Sequence, residues 1–128
     1  MTFLALDPGR KRVGVAISHG ILAEAMAVLQ FREGGFEVFY SQLEKIIVSQ
    51  SVDKIIVGVP MGKDQKKSKQ TEWNENFILQ LKKYTSIPVE VIEESFSTTS
   101  AYERGADKRD VDSQAAKIIL EQYLNEKN

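Results

Sequence analysis

The chain predicts an α/β protein built on a mixed sheet, with three leading antiparallel strands followed by parallel strands and helices on both faces. Three observations carry that expectation. Two short apolar runs, residues 2–7 and residues 12–18, are separated by the turn-forming sequence Asp7-Pro8-Gly9, which reads as a hairpin. A fully apolar run, KIIVGV at residues 54–59, is stopped by Pro60 and Gly62, as expected of a strand covered on both faces. Stretches of helical periodicity then separate the later strands, which is how parallel neighbours are connected.

Each element follows from its local pattern. Residues 22–31 suit a third strand, although Ala23, Ala25 and Ala27 tolerate helix equally well. Gly34-Gly35 breaks the chain before residues 36–50, where Phe36, Phe39, Tyr40, Leu43, Ile46 and Ile47 recur at helical spacing. After the 54–59 strand, a helix is expected from about residue 70 to 84, with Trp73, Phe77, Leu81 and Tyr84 on one stripe. Residues 88–93 form the next strand, residues 98–104 a short helix, and residues 111–125 the last helix.

A chain of 128 residues fits one domain, residues 1–128, with little room for a second core. No apolar run approaches the roughly 20 residues of a membrane helix, and the first residues carry no export or transit pattern. With no cysteine and one histidine, His19, thiolate and His-rich metal sites are excluded. Any catalytic metal is therefore expected to be carboxylate-bound. Seventeen basic residues against eighteen acidic ones leave a net charge of −1, so nucleic-acid binding would depend on where the positive charge sits rather than on its sum. It concentrates in Arg10-Lys11-Arg12, in the KDQKKSK run containing Lys63, Lys66, Lys67 and Lys69, and at Lys82-Lys83 and Lys108-Arg109. Such runs make a basic rim or simply a solvated face.

Three carboxylates fall at element ends: Asp7, Glu94 and Asp112. Together they could present oxygen ligands to Mg²⁺ for phosphodiester hydrolysis. Each has a plainer reading. Asp7 is also a good first residue for an Asp-Pro-Gly turn. Glu94 can be a solvated strand end or a partner for a helix dipole, and strand alternation lets only one of Glu93 and Glu94 face a given side. Asp112 can cap the last helix, unless Asp110 does so. In that case Asp112 shares the face of Ala115, Ala116 and Ile119 and points at the sheet. Glu103, in Ser100-Ala-Tyr-Glu103, reads as a capping box.

The order of elements is similar to the ribonuclease H-like architecture, and four phrases together resemble the YqgF/RuvX family of bacterial RNase H-like nucleases. The phrases are Asp7-Pro-Gly-Arg-Lys-Arg12-Val-Gly-Val-Ala16, Val57-Gly-Val-Pro60, Glu93-Glu94-Ser95-Phe96-Ser97-Thr98 and Asp112-Ser-Gln-Ala-Ala-Lys-Ile-Ile-Leu120. The resemblance covers nearly the whole chain. It implies a cytoplasmic endonuclease dependent on Mg²⁺ or Mn²⁺, with Asp7, Glu94 and Asp112 as metal ligands. It also implies a nucleic-acid substrate, either a structured precursor of 16S ribosomal RNA or a branched DNA junction. The protein would be a monomer or, if it cuts two strands of a junction, a homodimer. The chain departs from the family where Ser95 replaces an arginine and Glu93 an aspartate, and less consequentially at His19 and after Asp64.

The expected mechanism uses two ions about 3.5–4 Å apart, bridged by Asp7, to activate water and stabilise the leaving oxygen. Arg10, Arg12, Lys63, Lys66, Lys67, Ser97 and Thr98 are the expected phosphate-binding residues, the last two near a helix N-terminus. Two alternatives stay open: a catalytically inactive nucleic-acid-binding module, which the Ser95 substitution favours, and an ATP-binding fragment of the actin and sugar-kinase type.

Overall fold

A computed structural model of the chain describes residues 1–9, 11–32, 35–60, 69–94 and 108–127. Five strands form a single sheet in the order β3-β2-β1-β4-β5. They are β1 (Phe3–Pro8), β2 (Arg12–Ser18), β3 (Ala23–Gln30), β4 (Lys54–Pro60) and β5 (Val89–Glu94). The pairs β1–β2 and β2–β3 are antiparallel, and β1–β4 and β4–β5 are parallel. This is the mixed sheet that the sequence predicts. Three helices among the described residues accompany it: α1 (Phe36–Gln50), α2 (Lys69–Tyr84) and α3 (Lys108–Lys127). The short helix expected over residues 98–104, with the capping box ending at Glu103, lies outside the described residues.

The ambiguity at residues 22–31 resolves as a strand because pairing with β2 outweighs the helical preference of three alanines. The register slips between Val15 and Ala16, so β3 carries one residue more than its partner there, a bulge that twists the edge strand. β1 runs one residue past the expected end, with Pro8 opposite Val13. A strand end is where the missing proline N–H costs little.

Alternation along the strands divides the interior in two. Leu4, Leu6, Val13, Val15, Ile55 and Val57 point to one side and pack with Phe39 and Leu43 of α1 and Phe77, Ile78 and Leu81 of α2. Rings dominate this layer: Phe39 lies 5.6 Å from Phe31 and 5.5 Å from Phe77 between centroids. Tyr40 stacks on Tyr84 at 4.4 Å, and the Tyr84 hydroxyl donates to Glu44 Oε2 at 2.8 Å. Ala5, Ala16, Ala23, Ile56 and Ile92 point to the other side, against Ala116, Ile119, Leu120, Tyr123 and Leu124 of α3.

The small residues on the second face set how close α3 lies. A Cβ at Gly58 would collide with the Ile119 side chain, and one at Gly14 would collide with the Asp112 carbonyl. The far end of the helix is pinned at the start of the strands. Lys54 Nζ donates to the Tyr123 hydroxyl at 3.0 Å and pairs with Glu90 at 2.8 Å, while Phe3 meets Tyr123 edge to face at 5.5 Å. From Tyr123 back to Asp112 is about 16 Å of helix at ~1.5 Å per residue. From Phe3 to Asp7 is about 13 Å of strand at ~3.3 Å per residue. The pin at Tyr123 therefore sets α3 lengthwise so that Asp112 arrives at the Asp7 end of β1.

Candidate active site

Asp7 sits on β1 directly opposite Gly14 of β2. Opposed residues of an antiparallel pair share a face, and the Gly14 face is the one that meets the Asp112 carbonyl and the Ser113 nitrogen. Asp7 therefore leaves the sheet on the side of α3, at the stretch that carries Asp112. Arg12 lies two residues before Gly14, hence on that same face. A residue from the start of the chain and one from near its end are brought together by the absence of a side chain between them.

Asp112 is not a helix cap. α3 begins at Lys108, one turn earlier than the sequence pattern indicates, because Lys108, Arg109 and Asp110 carry no apolar periodicity yet continue the helix. Asp112 consequently follows the four N-terminal amides that a cap serves. Its Oδ2 lies 3.3 Å from Arg12 Nε, with the two side chains 25% and 37% exposed respectively. That oxygen is enclosed and has no hydrogen-bond partner among the described residues. Burial pushes the Asp112 carboxyl up from its ordinary value, and the Arg12 guanidinium pulls it partway back. With Oδ2 enclosed and only the Arg12 guanidinium beside it, the group favours a further positive charge. A hard divalent ion fits that donor chemistry.

Glu94 is the last residue of β5, in register with Pro60 of β4. Strand alternation gives position 94 the face of Ile92, which packs in the α3 layer, and position 93 the other. The Glu93 carbonyl accepts a hydrogen bond from Gln122 Nε2 at 3.1 Å, so α3 also holds the end of β5. The Glu94 side chain is not among the described residues. Neither are Arg10, Lys63, Lys66, Lys67, Ser95, Ser97 and Thr98. Among the described residues no group of three His, Cys, Asp or Glu side chains is placed to hold a metal ion, and two of the three expected ligands, Asp7 and Asp112, belong to that set.

The ion pair between Arg12 and Asp112 has no counterpart in the sequence reading, which assigned Arg12 to phosphate alone. The signal was available in Gly14: a strand residue that admits a helix places its i−2 neighbour beside that helix. Next to Asp112, a groove of about 600 Å³ runs along the β3 edge, lined by Ala25, Ala27, Gln30, Gln42, Ser113 and Gln114. Its amides and hydroxyl offer polar contacts close to the carboxylates. No helix among the described residues is long and apolar enough to cross a membrane.

Other proteins resemble the chain in sequence and in fold. A protein of Maridesulfovibrio salexigens named "Putative pre-16S rRNA nuclease" is 31% identical over 132 residues, covering 97% of this chain and 98% of its own. A protein of Burkholderia vietnamiensis with that name is 31% identical over 134 residues, covering 98% and 89%. Among solved structures, Thermus thermophilus RuvC in complex with a Holliday junction substrate superposes with a TM-score of 0.61 at 12% identity, over 98% of this chain and 96% of that one. RuvC from that organism without the junction gives 0.59 at 12% identity, over 99% and 97%. At that identity the likeness is one of fold, and it is the RNase H-like fold that the order of elements anticipated. The sequence model of the family RuvX, described as Holliday junction resolvase, matches residues 1–126, and the chain belongs to that family.

Proposed function

We propose that residues 1–128 form a single nuclease domain that hydrolyses phosphodiester bonds in nucleic acid with the help of Mg²⁺ or Mn²⁺, acting in the cytoplasm. The observation that carries the reading is the contact of Gly14 with the Asp112 carbonyl, which gathers Asp7 and Asp112 at one end of one sheet face. Family membership over residues 1–126 supports the chemistry assigned to them.

Asp7, Glu94 and Asp112 are the residues that would hold the metal, as one ion or a pair. When bound, it supplies Lewis acidity and a water of lowered pKa. The side chains then have two duties: to offer oxygen ligands from three separate elements, and to hold the substrate phosphate in line. Arg12, with its planar fork, suits phosphate. Arg10, Lys63, Lys66, Lys67, Ser97 and Thr98, outside the described residues, are the further phosphate-binding residues of this proposal. No side-chain general base is required. The substrate is a structured RNA precursor, as the names of the full-length relatives indicate, with the branched DNA of the family description as the second reading.

The deciding experiment offers labelled structured RNA and four-way DNA junctions to the purified protein and to Asp7→Asn, with Mg²⁺ or Mn²⁺. Cleavage by the wild type should fall by at least about 100-fold in the variant, whose far-ultraviolet spectrum stays the same. Equal cleavage by both removes Asp7 from the site. Binding without cleavage by either leaves the inactive binding module in its place.

A further inference from the structure

Resting on the metal reading above, we propose that Arg12 is an exchangeable counter-ion: it holds Asp112 until a divalent cation replaces it, and is then released to a phosphate of the nucleic acid. The pair is loose in a way that suits exchange. Its 3.3 Å contact is longer than the roughly 2.7–2.9 Å of a charge-assisted hydrogen bond. A second ion pair on α3's face of the sheet is tighter. Lys54 and Glu90 close to 2.8 Å and the same ammonium is bonded to Tyr123, so that pair is an anchor.

Arg12 is free to leave. Its side chain is 37% exposed, and as the first residue of β2 it stands at the end of a strand rather than in the core. A divalent cation on the same carboxylate repels the guanidinium and supplies the charge that Asp112 needs. The released fork then meets the phosphate, for which its geometry is suited. One arginine thus serves two anions in turn, and metal and nucleic acid bind with positive coupling.

The test measures Mn²⁺ affinity from the electron paramagnetic resonance signal of the free ion, for the wild type, Arg12→Gln and Arg12→Lys. Without nucleic acid, Arg12→Gln should bind Mn²⁺ about fivefold more tightly than the wild type, while Arg12→Lys, which keeps the charge, stays near it. Affinity for a fluorescent oligonucleotide should rise with Mn²⁺ in the wild type, and that gain should shrink in Arg12→Gln. Should Arg12→Gln bind Mn²⁺ equally or more weakly, Arg12 orients Asp112 instead of competing for it, and the exchange is overturned while the metal reading stands. Equal tightening in both variants overturns it too, since charge is then not the cause. If the wild type binds no Mn²⁺, the metal reading fails and takes the exchange with it.

Discussion

The two faces of the sheet are built from opposite materials. Under α1 and α2 lie bulky aliphatics and rings, with Phe39, Leu43 and Leu81 fully enclosed. Under α3 lie Ala5, Gly14, Ala16 and Gly58, met by Ala115 and Ala116. Large side chains interdigitate and bury area, so the first face contributes mainly stability. Small ones give up area and let backbones approach, so the second face contributes position. Its polar end is where Asp7 and the Asp112 stretch lie. The lesson is that closeness, rather than bulk, is what the α3 side of this sheet is built for.

Three substitutions probe that division, beginning with the largest effect. Phe39→Ala empties the ring layer and should cost about 3–5 kcal/mol, read by urea denaturation. Cleavage per folded molecule should stay as it was. A matching loss of specific activity would mean that the faces are not independent. Gly14→Ala should cost less stability, about 1–3 kcal/mol, but cleavage should fall further than the unfolded fraction explains, because the added Cβ pushes the Asp112 stretch away from Asp7. Full activity in a well-folded variant would show that this approach does not set the site. The smallest effect is expected at Ser51, which closes α1 in the left-handed region at φ 53°. Ser51→Gly should raise stability by about 0.5–1 kcal/mol without altering cleavage. A lower thermal midpoint would mean that the serine contributes more than its backbone angle costs.

Much of this was legible in the chain because the decisive residues announce themselves locally. The DPG turn, the KIIVGV run and the aromatic spacing of α1 each mark an element through its own neighbours. Ala115, Ala116 and Ile119 likewise placed Asp112 toward the sheet, and all three are fully buried. What failed was of another kind. The start of α3 lies in charged residues, where there is no apolar rhythm to read, so the helix came out a turn short and capping stayed open for Asp112. The Arg12 contact joins residues from opposite ends of the chain, and no local pattern encodes such a pairing. Gly14 did encode it indirectly, as an empty position facing a helix.

The route by which α3 reaches the sheet also fixes when the site can exist. During synthesis the strand carrying Asp7 emerges well before the helix carrying Asp112. Until that helix docks along Ala5, Ala16 and Ile56, Asp7 and Asp112 are apart, and Gly14 faces open water. On the proposed site, cleavage therefore waits for α3 to dock: the two carboxylates are made far apart in the sequence and meet only once that helix is seated on the sheet.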